Sequence, residues 1–279
     1  MKSRLYLGVT LLLVAGVCQA KNYVIAYTDN IHSLQDAVQD SVWTKASLLT
    51  DFSFPWIDMP APKTEFRALW TPTSIWFRFD VEDHDIQVGK QLDKDEAVLA
   101  SDRVELFFST GQALQPYYTA EIDSQGRVFD AKAEFYRKVD QTWNWQSLET
   151  ISSLTPNGYR VVGKFDLKEL DVLKLWQDQD HKTLMCAIMR GEFSADGQGG
   201  QKREWISWIK PDSVKPDFHI PSAFSTCSLV KYTIFREVSY EKDKEILCHR
   251  IALQYFQCCI LCASSAKSAS GEYSGCCNL

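Results

Sequence analysis

Positive charge is in short supply in this chain. Its 30 Lys and Arg face 36 Asp and Glu, for a formal net charge of −6. That balance argues against nucleic acid and against an anionic membrane surface as partners. Glycine and proline are sparse as well, 13 and 9 in 279 residues. No stretch rich in Pro, Gly or Ser divides residues 21–226, and no internal repeat is visible, so one domain is expected there. Five histidines are scattered with no two at ligand spacing, which removes a zinc site of familiar layout. G-x-S-x-G, H-E-x-x-H and the P-loop lysine motif are all missing.

Long apolar runs are confined to the N-terminus. Lys2 and Arg4 precede the run Leu5–Val17, and Cys18-Gln19-Ala20 supplies small residues at a peptidase site. This is the layout of a secretory signal, too short for a comfortable membrane span, with cleavage expected after Ala20. The expectation is a secreted or periplasmic protein without a membrane span. Cysteine is nearly absent from the body. Of 9 cysteines, Cys18 lies in the leader, Cys186 in the body, and the other seven between Cys227 and Cys277. A body with one cysteine, set in TLMCAIM, reads as held by its core and not by disulfides. All 9 Trp and all 9 Pro lie at or before Pro221. Residues 230–279 therefore differ in character from residues 21–229. They read either as a small disulfide or metal knot around Cys258, Cys259 and Cys262, or as a tail foreign to the fold.

What the chain has is aromatic residues, 13% of the total. Short stretches rich in aromatic and β-branched residues recur between Gly, Pro, Asp and Asn: YVIAYT, FRALW, IWFRFDV, RVELFFS, YYTAEI, GYRVVGKF, TLMCAIMR and WISWI. With Arg127–Ala131 and Ala133–Val139 these make ten strands, which with few helical stretches predict a two-sheet sandwich. Helices are expected at Ser41–Leu49 and at Asp166–Trp176, the second with Asp166 as N-cap.

Residues 100–109, ASDRVELFFS, raise the question of function. Val104, Leu106 and Phe108 alternate as a buried strand face, so Arg103, Glu105 and Phe107 point the other way. An acid beside an aromatic on a rigid strand suits a polar, ring-shaped ligand. Asp102 and Glu105 are three apart and face oppositely, which disfavours them as a glycosidase pair and leaves Asp102 to tie a loop. The acids Asp80, Glu82, Asp83, Asp85, Asp93, Asp95 and Glu96 are dense enough to consider calcium, with Asp83 and Asp85 as candidate ligands, although no EF-hand loop fits. Trp143 and Trp145 in TWNWQS share a face if extended and are candidates for stacking on sugar C–H faces. Of Trp205 and Trp208, three apart, one faces inward and one does not.

Five motifs in sequence, LWTPTSIWFRFDVEDHDI, SDRVELFF, YYTAEIDSQGRVFDA, NGYRVVGKFDLKEL and WISW…PDFHIPSAF, resemble carbohydrate-binding module family nine over about residues 34–229. The resemblance implies an all-β, jelly-roll-like antiparallel β-sandwich with one or two short helices. It implies a secreted, non-catalytic module, often attached to xylanases, that binds xylan- or glucan-type chain ends and carries calcium. In that family two tryptophans sandwich the sugar and a glutamate takes its hydroxyls. Glu105 matches that glutamate. The first tryptophan corresponds to Leu99, which is not aromatic, and the second to Phe218, followed here by His219. The family arginine falls near Glu121, with its sign reversed, and Arg190 is a candidate replacement. Trp143 or Trp145 is a candidate for the missing stacking face.

Three readings remain open at this point. The chain is a sugar-binding protein, working alone or beside a separate glycanase. Or it is a glycoside hydrolase, for which Glu105 and Glu121 are the pair to check across about 5–10 Å. Or it is a structural, partner-binding sandwich, in which case Phe218, Glu105 and Arg190 do not converge on one pocket.

Overall fold

Among the described residues thirteen strands form in chain order, mostly where branched and aromatic residues alternate. They are β1 (Asn22–Tyr27), β2 (Thr64–Trp70), β3 (Ser74–Glu82), β4 (Arg103–Ser109), β5 (Tyr117–Asp123), β6 (Val128–Glu134) and β7 (Lys138–Asp140). Then come β8 (Glu149–Thr155), β9 (Gly158–Asp166), β10 (Trp176–Asp178), β11 (Thr183–Ala195), β12 (Gln201–Ser207) and β13 (Ser225–Val230). The computed structural model describes residues 21–91 and 93–231. The expected leader and the cysteine-rich segment from residue 232 onward lie outside the described residues. No helix among the described residues is long and apolar enough to cross a membrane.

The strands join in one hydrogen-bonded sheet in the order β7-β6-β5-β4-β11-β13-β1-β2-β3-β9-β8, with β10 and β12 also paired to β11. The sheet curls so that its two halves face each other as a β-sandwich. Val104, Leu106 and Phe108 of β4 share one core with Phe77 and Phe79 of β3 and Val161 and Phe165 of β9. Alternation forces this face inward, because within each strand these side chains lie two or four residues apart. Most pairs are antiparallel; β1 is parallel to both β13 and β2.

The helices are shorter than periodicity predicted. Residues 40–45 form a 3-10 turn, and the second predicted helix covers only Leu167–Val172, with no side-chain cap from Asp166. The helix Lys94–Leu99 arises inside the acidic stretch, where Asp93 Oδ1 accepts the amides of Asp95 and Glu96 as an N-cap.

One expectation about the body is corrected. Cys186 on β11 is disulfide-bonded to Cys227 on β13, across 41 residues. Sequence alone grouped Cys227 with the six cysteines that follow it and gave Cys186 no partner, but antiparallel pairing sets Leu184 beside Cys227 and Cys186 beside Ser225, within reach of a bridge.

Candidate functional site

The outer face of β4 is not open to solvent. Every residue of Arg103–Ser109 is buried. Phe107 packs into a second, smaller core with Tyr117, Met185, Phe218 and Phe224. Beside this core the covering layer leaves a groove of about 600 Å³.

Strand register builds the groove floor. Arg103 lies opposite Gly191, which lies opposite Trp205. Two positions along β4, Met189, Glu105, Glu121 and Phe129 stand in one row across β11, β4, β5 and β6. Because side chains alternate, both rows project to the same face. Gly191 makes room for this arrangement: a Cβ there would lie 3.0 Å from Arg103 Nη1 and 3.3 Å from its Cζ, so the guanidinium would have to shift. Its absence lets the guanidinium lie across β11 and reach 5.4 Å from the Trp205 ring centroid.

Arg103 holds the two acids. Its Nε donates to Glu121 Oε2 at 2.6 Å, and its Nη2 comes within 3.0 Å of Glu105 Oε1. The second contact is an ion pair at an angle too poor for a hydrogen bond, so Glu105 Oε1 has no hydrogen-bond partner; neither has Thr119 Oγ1 nearby. Burial, reinforced by the Glu121 charge, pushes the Glu105 carboxyl up to about 8. At neutral pH it is largely protonated and offers both a donor and an acceptor. Two acids and an arginine almost wholly withdrawn from water are a poor investment in stability alone. They are the kind of perturbed cluster that marks a site.

Aromatic residues form the walls. Trp205 is half-buried, backed by the buried Phe218 ring at 5.6 Å, and Trp56 in turn backs Phe218 at 5.4 Å. His219 hydrogen-bonds the Tyr117 hydroxyl through Nδ1 at 2.8 Å. Burial, with Arg137 nearby, lowers its pKa to about 4, so the ring is neutral. Leu99 also lines the groove, at the end of its helix.

Of the residues singled out from sequence, Glu105, Glu121, Phe218 and His219 line this groove together. Three others do not. Trp145 is 6% exposed and packs inside the sandwich against Phe165 at 4.8 Å, its indole N–H bonded to Thr119 O. Trp143 covers Tyr118 at 4.7 Å beside it. The pair closes one end of the core and is not a stacking surface of the groove. Arg190 is wholly buried on the opposite face, because β11 continues to Ala195 and places it mid-strand in the inward row with Val104. Arg103 was legible in sequence as outward-facing, and Trp205 only as one of two tryptophans of which one faces out; neither was marked as a binding residue. Their neighbourhood depends on β11–β12 pairing, which no local pattern announces.

Arg190 belongs to a second cluster. Its Nη2 lies 3.2 Å from Asp83 Oδ2 and also pairs with Glu192, while Nη1 donates to Glu82 O at 3.1 Å. Asp83, Asp102 and Glu192 bring one carboxylate oxygen each within 4.8 Å of one another, the first two buried and Glu192 largely so. Burial, aided by neighbouring acids, pushes Asp102 up to about 8 and Glu192 to about 7. When deprotonated, three acids outnumber the one guanidinium, and hard oxygen donors so gathered fit calcium. Asp85 is not one of the three. Its Oδ2 accepts Ala195 N–H at 2.7 Å, so the group that the fold gathers is Asp83 with Asp102 and Glu192, where the sequence had suggested Asp83 with Asp85. Asp102 ties loops as expected, accepting the amides of Gln87 and Phe193 at 2.6 Å each.

The family described as carbohydrate family 9 binding domain-like matches residues 35–232. Among solved structures, a carbohydrate binding module family 9 from Caldicellulosiruptor kristjanssonii in complex with glucose aligns over 78% of this chain and 100% of that chain, at a TM-score of 0.53 and 13% identity. Its counterpart in complex with cellotriose aligns over 77% and 97%, at 0.53 and 14%. A protein of Bacteroides uniformis aligns over 76% and 100%, at 0.54 and 17%. At such identities the likeness is one of fold. No curated protein sequence matches the chain.

Proposed function

The chain belongs to the carbohydrate family 9 binding domain-like family, and we propose that it is a secreted, non-catalytic protein that holds xylan- or glucan-type oligosaccharides or chain ends in the groove over Arg103, Glu105 and Glu121. The observation that carries this reading is the buried acid–arginine–acid floor beside the half-buried Trp205. A sugar hydroxyl both donates and accepts, and this floor supplies donors from Arg103 and protonated Glu105 and an acceptor in Glu121. Trp205 offers an apolar face to ring C–H groups. The stacking role that the resemblance assigned to Leu99 and Phe218 passes to Trp205, since Leu99 has no ring and Phe218 is 5% exposed.

A hydrolase reading draws no support from Glu105 and Glu121. They stand side by side on adjacent strands, tied to one guanidinium, whereas glycoside cleavage needs carboxyls flanking the scissile bond. Secretion is supported by the leader-like N-terminus and by the Cys186–Cys227 disulfide, a bond that persists in oxidising compartments. In such a setting the protein would work alone or beside a separate glycanase. Asp83, Asp102 and Glu192, once deprotonated, would hold a structural calcium ion, which would balance the charge Arg190 leaves unpaired.

Calorimetric titration of the whole chain with xylo- and cello-oligosaccharides tests the reading. Saturable binding that Glu105→Ala and Trp205→Ala each weaken about tenfold or more is expected. No heat with any such glycan, from protein that still unfolds cooperatively, would overturn it.

A further inference from the structure

At the lip of the groove the β6–β7 hairpin presents three exposed apolar side chains, Phe135, Tyr136 and Val139, at 40%, 52% and 41% exposure. Exposed aromatics on a hairpin tip are ordinarily mobile, but Tyr136 is tied down. Its hydroxyl donates to Asp217 Oδ2 at 2.6 Å. Arg137 Nη2 donates to Asp217 Oδ1 at 2.8 Å, and its Nε donates to the Tyr136 hydroxyl at 3.2 Å. The same guanidinium lies 5.5 Å from the Tyr136 ring centroid. Asp217 Oδ1 also accepts His219 N–H at 2.9 Å, so the hairpin tip is anchored to the loop that carries Phe218 and His219.

This lock has a backbone cost. Arg137 adopts φ of 56°, a left-handed conformation that is unfavourable for a residue with a Cβ. Strain of that kind persists where the surroundings hold it, and here they hold one half-exposed ring in a set orientation. A rigid, amphipathic tyrosine loses little freedom on binding and offers a stacking face. Its position fits a ligand larger than one ring. Arg137, Val139 and Asp217 line the groove, whose volume of about 600 Å³ is in the range of sites that take multi-ring ligands. Tyr136 itself stands just outside that lining.

We propose that Tyr136 is an outer stacking platform, which receives the second ring of a saccharide whose first ring sits over Arg103, Glu105 and Glu121. The inference rests on the carbohydrate reading above and adds to it a second-ring contact outside the groove, with affinity for chain length residing in the hairpin lock.

The test is calorimetry of the whole chain and its Tyr136→Ala and Tyr136→Phe variants with glucose, xylose, cellotriose and xylotriose. Tyr136→Ala should weaken the better trisaccharide about tenfold, ~1.4 kcal/mol, and leave its monosaccharide within twofold. Tyr136→Phe keeps the ring but loses the Asp217 anchor and should fall between. Thermal unfolding of both variants should match the parent, since the side chain is half exposed. Equal losses for monosaccharide and trisaccharide, or no loss for either, would overturn the platform while leaving the groove as a sugar site. Absence of binding by the parent to all four sugars would overturn the carbohydrate reading, and this inference with it.

Discussion

Glu105 and Glu121 stand directly opposite each other on neighbouring antiparallel strands, one row of like charge reconciled by a single guanidinium. Two carboxylates so placed cannot both ionise cheaply in a buried setting, so one keeps its proton. The assignment to Glu105 follows from its deeper burial and its poorly aligned contact with Arg103.

The pH dependence of stability follows with a definite sign. Glu105 sits at about 8 in the folded protein against 4.5 for an ordinary glutamate. Between those values the folded state binds more protons than the unfolded one, so stability falls as pH rises through that window. Asp102, at about 8, and Glu192, at about 7, act in the same direction. Glu105→Gln removes one contributor, and its melting temperature should decline less steeply from pH 5 to pH 8. A slope equal to the parent's would mean that Glu105 is ionised in the folded protein.

Calcium should stabilise through the cluster on the opposite face. Ligand carboxylates must be deprotonated to bind, so a chelator should lower the melting temperature more at pH 8 than at pH 6. Asp83→Asn together with Asp102→Asn should abolish the chelator's effect. A melting curve indifferent to calcium at both pH values would exclude the ion from this site.

Arg190 separates stability from binding. Replacing it with Met leaves Asp83 and Glu192 buried without their partner, a loss on the order of 3–5 kcal/mol in unfolding free energy. The groove lies on the other face of β11, so oligosaccharide affinity measured well below the melting point should be unchanged. A large loss of affinity with intact folding would return Arg190 to the binding site.

The disulfide should matter to the final strand. Bridging Cys186 to Cys227 closes a loop of 41 residues, for which chain-entropy arguments give roughly 4 kcal/mol, less any native strain. Reduction, or Cys186→Ala with Cys227→Ala, should lower unfolding free energy by roughly 2–4 kcal/mol in denaturant titrations. An unchanged midpoint would mean that core packing alone retains β13.

Much of the architecture is written in local pattern. Val104, Leu106 and Phe108 declare their strand and their inward face, and the same alternation places Arg103, Glu105 and Phe107 on the other side. Family membership is legible in the order of loose motifs from Leu69 to Phe224, because each records one strand and its turn. Local pattern has less to say about covering layers. Phe107 and Glu105 lie on one face, yet the first is sealed under Phe218 and Phe224 while the second lines a groove.

Partners in space escaped the sequence for one physical reason. A period of two fixes the side of a strand on which a residue lies, but not which distant strand lies beside it or what packs on top. Trp143 and Trp145 share a loop that non-local packing folds into the core. Arg190 takes its role from the length of β11, which carries the strand past the point where local signals end. Cys186 meets Cys227 because β13 returns beside β11, and Arg103 and Glu105 of β4 meet Glu121 through β4–β5 pairing and Trp205 through β4–β11 and β11–β12 pairing. By itself, then, the sequence determined strands, faces and family, whose causes are local. The site, the disulfide and the buried ion clusters were decided only by tertiary structure, since each joins residues far apart in the chain.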